Sequence, residues 1–149
     1  MNVNIKFGGK LMNKKAIITV DSAVLNEEED VISVVTPGDF CETEYGFKVK
    51  YDETKISGME GTKTTILIRK DSFDLIREGT TETKMEFENN KTSTSLYKTS
   101  YGVLDIRIDT RKLNINVDEK GGNINTIYLL EVGGQPVMKT NLSIDIKVN

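Results

Sequence analysis

Apolar and polar residues alternate along most of the chain, so that every second side chain is apolar. The clearest runs are residues 47–51, 104–108, 113–117 and 142–148, and further runs lie at 14–24, 30–36, 62–69, 72–78, 81–87, 92–99 and 123–132. Because successive side chains of a strand point to opposite faces, this pattern predicts antiparallel strands with one apolar and one wet face. No segment has a convincing helical period.

The runs are separated by short turn signals rich in glycine, asparagine and charged residues. Examples are Pro37-Gly38-Asp39, Asn89-Asn90, Glu119-Lys120-Gly121-Gly122 and Gly133-Gly134. Glycine and asparagine supply the positive φ that tight hairpins require. About ten strands would follow one another, and a sheet that long normally curls, closes or splits. The uniformly short connections favour an all-β fold, a single antiparallel up-and-down β-barrel of about 8–10 strands, over a sandwich.

Composition narrows the chemistry that this barrel can perform. The chain has 149 residues, with 20 basic and 23 acidic side chains and a net charge of −3, so a nucleic-acid partner is not expected. It has no histidine and one cysteine. This excludes histidine-based catalysis, a Cys/His zinc site and an internal disulfide. We expect no cofactor and no metal, and an enzyme is not favoured.

The N-terminal residues raise a question about where the domain starts. Residues 1–11 lack the apolar core of a secretory signal. Every apolar run is far shorter than the segment of about 20 residues that is needed to span a bilayer. No membrane partner is therefore expected, and a cytoplasmic location is the default. Met12 opens the first sustained strand pattern, which suggests it as the natural start. The alternative is an N-terminal arm, frayed or forming an extra edge strand, with a single barrel domain over 12–149.

Arg77 is the most informative polar residue, because it shares its parity with Phe73 and Leu75. Its guanidinium should point into the barrel near the end of a strand. An enclosed arginine requires an anionic partner, and its planar fork suits a carboxylate or a phosphate on a ligand or on the protein. Glu60, at the start of the neighbouring strand, is the predicted partner. Alternatively, Arg77 extends to water at the barrel rim.

Two threonines and two tyrosines complete the candidate ligand-binding residues. Thr62 and Thr64 share parity with Ile66 and would add two hydroxyls to the interior near Arg77. Tyr97 and Tyr101 flank a glycine-containing bend and could close the barrel mouth while hydrogen-bonding a ligand. The structural alternatives are ordinary strand threonines and packing tyrosines whose hydroxyls are wet.

Two other features carry no site. The acidic run at residues 27–30 lacks the alternating ligands of a calcium loop and is interpreted as a solvated hairpin tip. Cys41 has no cysteine partner and no visible group that would lower its pKa, which predicts an inert thiol. No catalytic constellation stands out.

Several segments resemble one bacterial family in order along the chain. They are the run from Ile56 to Thr65 (ISGMEGTKTT), Arg77 with Gly79, Met85 with Phe87, the stretch Tyr97 to Gly102, and Leu113 to Gly122. This pattern resembles the YwiB-like family of uncharacterised calycin-like (lipocalin-related) β-barrel proteins, from about Asp30 to Val148. Ser100 departs from it, since the family tends to have proline there. The resemblance implies the barrel and a cytoplasmic bacterial setting. It does not imply a particular function.

Two hypotheses of function follow. In the first, the barrel interior binds a small amphipathic or anionic molecule and Arg77 anchors it. In the second, the interior is filled with side chains and the working surface is outside, as in a structural or protein-interaction module that forms a homodimer. The two hypotheses differ in whether the barrel encloses a cavity.

Overall fold

The computed structural model describes residues 13–25 and 31–149, which form ten strands. They are β1 (Lys14–Val24), β2 (Val31–Thr43), β3 (Gly46–Asp52), β4 (Thr62–Ile68), β5 (Ser72–Gly79), β6 (Glu82–Glu88), β7 (Thr92–Thr99), β8 (Gly102–Asp118), β9 (Gly121–Val132) and β10 (Met138–Val148). Each strand pairs antiparallel with the next, and β1 pairs with β10 to close the barrel. The predicted all-β up-and-down barrel is confirmed. The predicted arm, the start at Met12 and the acidic tip at 27–30 lie outside the described residues.

The two ends of the barrel differ in packing. At the end where β1 begins, called the packed end, large apolar side chains from opposite walls fill the interior. The fully buried residues there include Ile18, Phe40, Val49, Ile66, Phe73, Phe87, Ile124 and Ile144. The Phe73 and Phe87 rings stack with centroids 4.5 Å apart. The other end, where β1 ends, is called the mouth end. It carries the 53–61 loop and the β5–β6, β7–β8 and β9–β10 turns.

The turn predicted at Pro37-Gly38-Asp39 is wrong, since these residues lie inside β2 and pair with Ile17, Ala16 and Lys15 of β1. Pro37 and Gly38 can occupy a strand where it bends and another backbone approaches closely. A Cβ at Gly38 would stand 2.7 Å from the Lys50 carbonyl oxygen of β3. Gly38 therefore marks a close approach of two strands within the wall.

A β-bulge explains a change of parity within β8. Ile106 and Ile108 point inward at even positions, whereas Leu113 and Ile115 are the partly buried residues after it. The pairing with β9 shifts between Thr110 and Lys112, so Arg111 is the extra residue. Because one inserted residue reverses the inward parity, both apolar runs face the interior.

Cys41 is a buried free thiol on β2. Burial raises its pKa, and the nearby Lys48 and Lys50 charges only partly oppose this effect. The thiolate form is therefore disfavoured, as expected for an unreactive cysteine. Within residues 13–25 and 31–149, no helix is long and apolar enough to cross a membrane.

Candidate functional site

A cavity of about 480 Å³ occupies the mouth half of the barrel interior. Most of its lining is apolar, from Val20, Ile32, Val34, Met59, Leu75, Met85, Phe87, Leu104, Ile106, Leu130, Val132, Met138 and Leu142. The polar lining consists of Ser22, Tyr51, Glu53, Ser57, Arg77, Tyr97 and Tyr128. Ile32 and Leu104 are 52% and 47% exposed, so the cavity reaches the surface beside them. This interior is neither completely filled nor completely empty.

Arg77 lies inside the barrel wall, not at a solvated rim, and lines the cavity. Its side chain is only 17% exposed. The Nε atom is buried and finds no hydrogen-bond partner among the described residues. Among the described residues, Nη1 donates only towards the sulfur of Met85, at 3.8 Å. The Nε–H group is thus enclosed without a hydrogen-bond partner among the described residues, which is costly in an apolar setting.

The predicted partnership between Arg77 and Glu60 is wrong. Glu60 is exposed, because the chain turns just before β4: the Thr62 N–H donates to the Met59 carbonyl and Gly61 has a φ of +91°. The carboxylate near Arg77 belongs to Glu53, whose Oε2 lies 3.8 Å from Nε. Glu53 directly follows β3, and its side chain is 4% exposed. It also accepts a hydrogen bond from the Thr64 hydroxyl.

Strand register arranges these groups in one polar row across the inner wall. Tyr51 pairs with Thr64, Thr64 with Arg77, Arg77 with Thr83, and Thr83 with Tyr97. Directly paired positions bring side chains on one face within contact distance. Five neighbouring strands therefore each place a polar side chain at the same level of the barrel, and three of these side chains, those of Tyr51, Arg77 and Tyr97, line the cavity.

The remaining predicted site residues have different positions. Thr64 is fully buried and supports Glu53, whereas the Thr62 hydroxyl bonds to Thr80 Oγ1 at 2.8 Å and to the Thr81 N–H at 3.1 Å. Tyr97 lines the cavity. Tyr101 does not, since this residue is 99% exposed at the tip of the β7–β8 hairpin. The prediction that Tyr101 closes the cavity is therefore wrong, because a two-residue turn directs the ring outward.

The loop of residues 53–61 borders the cavity at the mouth end. Ser57 and Met59 both line it. The Ser57 hydroxyl donates to the Thr54 carbonyl at 2.9 Å, and Thr80 Oγ1 donates to the Glu60 carbonyl at 3.0 Å. The loop is therefore fastened both to itself and to the β5–β6 turn. The Ser-Gly-Met-Glu-Gly-Thr block that carries the family resemblance builds this part of the cavity wall.

Two tyrosines show how enclosed the site is. Burial is the main reason that the pKa of Tyr51 is raised, and the Glu53 charge raises it further. Burial raises the pKa of Tyr128 to about 12. The Arg77 charge acts in the opposite direction on both. Both phenols are therefore neutral hydrogen-bonding groups within electrostatic reach of the guanidinium.

Sequence reasoning missed Glu53, Tyr51 and Tyr128 as site residues. A parity signal was present for each: Glu53 continues the odd-numbered series of Val49 and Tyr51, and Tyr128 continues the even-numbered series of Ile124. Glu53 was missed because it lies one residue beyond the end of β3. Among the described residues, no group of three or more acidic or cysteine side chains is placed to hold a metal ion.

The fold and the site define the protein as a closed ten-stranded antiparallel β-barrel with a charged pair in a largely apolar cavity. The chain belongs to the family described as a domain of unknown function, DUF1934, which matches residues 18–144. This family match and the two likenesses described next together confirm the predicted resemblance to the YwiB-like family.

The chain is 23% identical over 116 residues to the uncharacterized beta-barrel protein YwiB of Bacillus subtilis (strain 168), which covers 78% of this chain and 80% of that protein. The crystal structure of the ywiB protein from Bacillus subtilis superposes with a TM-score of 0.80 at 20% identity. That match covers 92% of this chain and 93% of the other. At this level of identity the structural likeness establishes the shared barrel fold.

Proposed function

We propose that the barrel binds a small amphipathic molecule with an anionic head group. The apolar part lies along the cavity and the head group bonds to Arg77. The observation that carries this proposal is the enclosed guanidinium, whose Nε has no hydrogen-bond partner among the described residues although it borders a cavity of about 480 Å³. That volume is in the range of small-molecule sites.

The energetics favour an oxygen-rich head group at this position. Unused donors in an apolar cavity are costly, and a carboxylate or phosphate ester would satisfy two of them at once through the arginine fork. The apolar lining would contribute the remaining affinity through burial of the tail. Tyr97 and Tyr128 offer further hydroxyls beside the same cavity.

Calorimetric titration with dodecanoate tests the proposal. Arg77→Met keeps a long side chain but removes the charged donors, and should weaken dodecanoate binding roughly tenfold to a hundredfold. Arg107→Met is the matched control, because Arg107 is exposed on β8 and faces away from the interior. It should bind like the parent protein.

Two outcomes would contradict the proposal. One is a parent protein that binds neither dodecanoate nor any molecule recovered from its host in native mass spectrometry. The other is equal binding by the Arg77→Met and Arg107→Met proteins when circular dichroism shows both to be folded.

Self-association is a second candidate function, and exposed apolar residues at the mouth end favour it. These residues are Leu25, Val31, Ile32, Ile56, Tyr101, Val103, Leu104 and Val137, and we call them the collar. Val31 and Ile32 lie at the mouth end of β2, Val103 and Leu104 lie at the mouth end of β8, and the other four lie in the adjoining turns and loops. Exposed apolar surface of this kind often marks an interface. Light scattering that gives a monomer at all micromolar concentrations would exclude a homodimer through the collar.

A further inference from the structure

Glu53 is the second charged group of the cavity and is held firmly in place. Its backbone N–H donates to the Thr62 carbonyl at 2.8 Å, and its carboxylate accepts a hydrogen bond from the buried Thr64 hydroxyl. The side chain is 4% exposed and lines the same cavity as Arg77. The carboxylate therefore faces the space in which the proposed head group would lie.

The ion pair between Glu53 and Arg77 is not a closed one. Its shortest approach, from Nε to Oε2, is 3.8 Å, which is too long for a hydrogen bond. Each charge lowers the cost of enclosing the other, yet the Nε–H of Arg77 has no hydrogen-bond partner among the described residues. A ligand bound at Arg77 would consequently meet a fixed negative charge only a few ångströms away.

This placement restricts the head group that the site accepts. A bare carboxylate beside Arg77 would be repelled by Glu53, and repulsion between like charges is strong in a poorly solvated cavity. A hydroxyl next to the ligand's carboxylate would offset this penalty, because it donates to Glu53 while the carboxylate accepts from Arg77. The Arg77–Glu53 pair can thus recognise a ligand that presents a hydrogen-bond acceptor and a hydrogen-bond donor side by side.

We infer that Glu53 is a specificity-determining residue that selects head groups carrying a hydrogen-bond donor beside the anion, as in 2-hydroxy fatty acids, over plain fatty acids. This inference rests on the proposed function and names the ligand class for the same site. Both anions meet the same repulsion from Glu53, and the selection arises because only the hydroxylated ligand can offset it with a hydrogen bond to that carboxylate.

The test compares two probes that differ by one hydroxyl, 2-hydroxydodecanoate and dodecanoate, by calorimetric titration. The parent protein should bind the hydroxylated probe roughly tenfold more tightly, the value of one buried hydrogen bond to a charged group. In Glu53→Gln the repulsion is gone and an amide donor can face the carboxylate. Dodecanoate should then bind more tightly than in the parent, and the preference should fall close to parity.

Glu60→Gln is the matched control, since it makes the same chemical change at an exposed position of the same loop. It should keep the preference of the parent protein. Parent protein that binds the two probes equally overturns the inference and leaves the proposed function standing, and this holds even if the Glu53→Gln protein does not fold. An unchanged preference in folded Glu53→Gln also overturns it. Binding of neither probe overturns the inference, and it overturns the proposed function as well when native mass spectrometry recovers no molecule bound to the protein from its host.

Discussion

Threonine supplies most of the buried polar side chains of this barrel, and most of those hydroxyls have partners nearby. The hydroxyls of Thr62, Thr64, Thr83 and Thr126 bond to Thr80, Glu53, the Leu96 carbonyl and the Lys112 carbonyl, respectively. Thr110, beside the bulge, is an exception. A β-branched residue that satisfies its own hydroxyl is an ordinary inner-wall residue. In contrast to these threonines, Arg77 has a buried Nε with no hydrogen-bond partner among the described residues, which supports the proposed role in ligand binding.

The buried tyrosine Tyr128 makes stability depend on pH in the alkaline range. Its pKa is raised to about 12 by burial, against about 10 in an unfolded chain. The folded state holds the phenol proton more tightly than the unfolded chain does. The contribution of Tyr128 to the free energy of unfolding is therefore complete below about pH 10 and is lost between about pH 10 and 12. Tyr128→Phe cannot ionise. Its urea midpoint should therefore fall less than that of the parent between about pH 8 and about pH 11.5.

The comparison for Tyr128→Phe uses each protein's own change with pH, so any lost packing at neutral pH cancels. Tyr51, whose pKa is also raised by burial, stays in both proteins and leaves a residual loss in the variant. An equal fall in the two proteins would contradict the expected burial of the Tyr128 hydroxyl.

Parity placed single residues well inside strands and failed beyond their ends. Arg77, Thr64 and Tyr97 belong to regular strands, so alternate positions determined their inward direction. Glu60 was misplaced because Gly61 and the turn at Thr62 interrupt the strand pattern. Glu53 lies near Arg77 only because β3 pairs with β4 and β4 pairs with β5. Loop conformation and long-range pairing leave no periodic signal in a single sequence.

Strand irregularities decide which residues reach the interior. The bulge at Arg111 lets β8 run from Gly102 to Asp118 with apolar residues inward on both sides of it. In the sequence the two halves of β8 look like separate runs of opposite parity. At Pro37 and Gly38 the opposite occurred, since residues typical of turns continue a strand. The antiparallel meander and the closure of the barrel were predictable from the alternation of apolar and polar residues and from the short connections. The bulge and the continuous strand at Pro37 and Gly38 were not, because they depend on contacts with neighbouring strands.

Deleting Arg111 should remove the bulge and reverse the direction of the residues that follow it. Leu113, Ile115 and Val117 would then lose their inward positions, at a cost of at least about 3 kcal/mol in the free energy of unfolding. Arg111→Ala keeps the extra residue and loses only an exposed ion pair with Asp109, so it should cost less than about 1 kcal/mol. Urea denaturation measures both. Similar costs for the two variants would mean that the bulge does not set the parity.

The whole barrel combines a well-packed half with a half that encloses a cavity, and this asymmetry links stability to binding. Natural cores are close-packed, so an interior space that side chains could fill is a cost in stability. Proteins keep such costs where function requires them. The boundary lies within single strands: on β1, Ile18 is fully buried among packed residues, and Val20, the next inward residue, lines the cavity.

The same enlargement at these two positions should therefore have opposite effects. Val20→Phe extends into the cavity, so it should leave the free energy of unfolding unchanged or raise it slightly while weakening dodecanoate binding at least about tenfold. Ile18→Phe forces a larger side chain into the packed half and should cost about 1–3 kcal/mol. Its binding should stay near that of the parent, because the cavity is untouched. If Val20→Phe bound dodecanoate like the parent, the ligand would not occupy this cavity, and the collar would become the better-supported working surface.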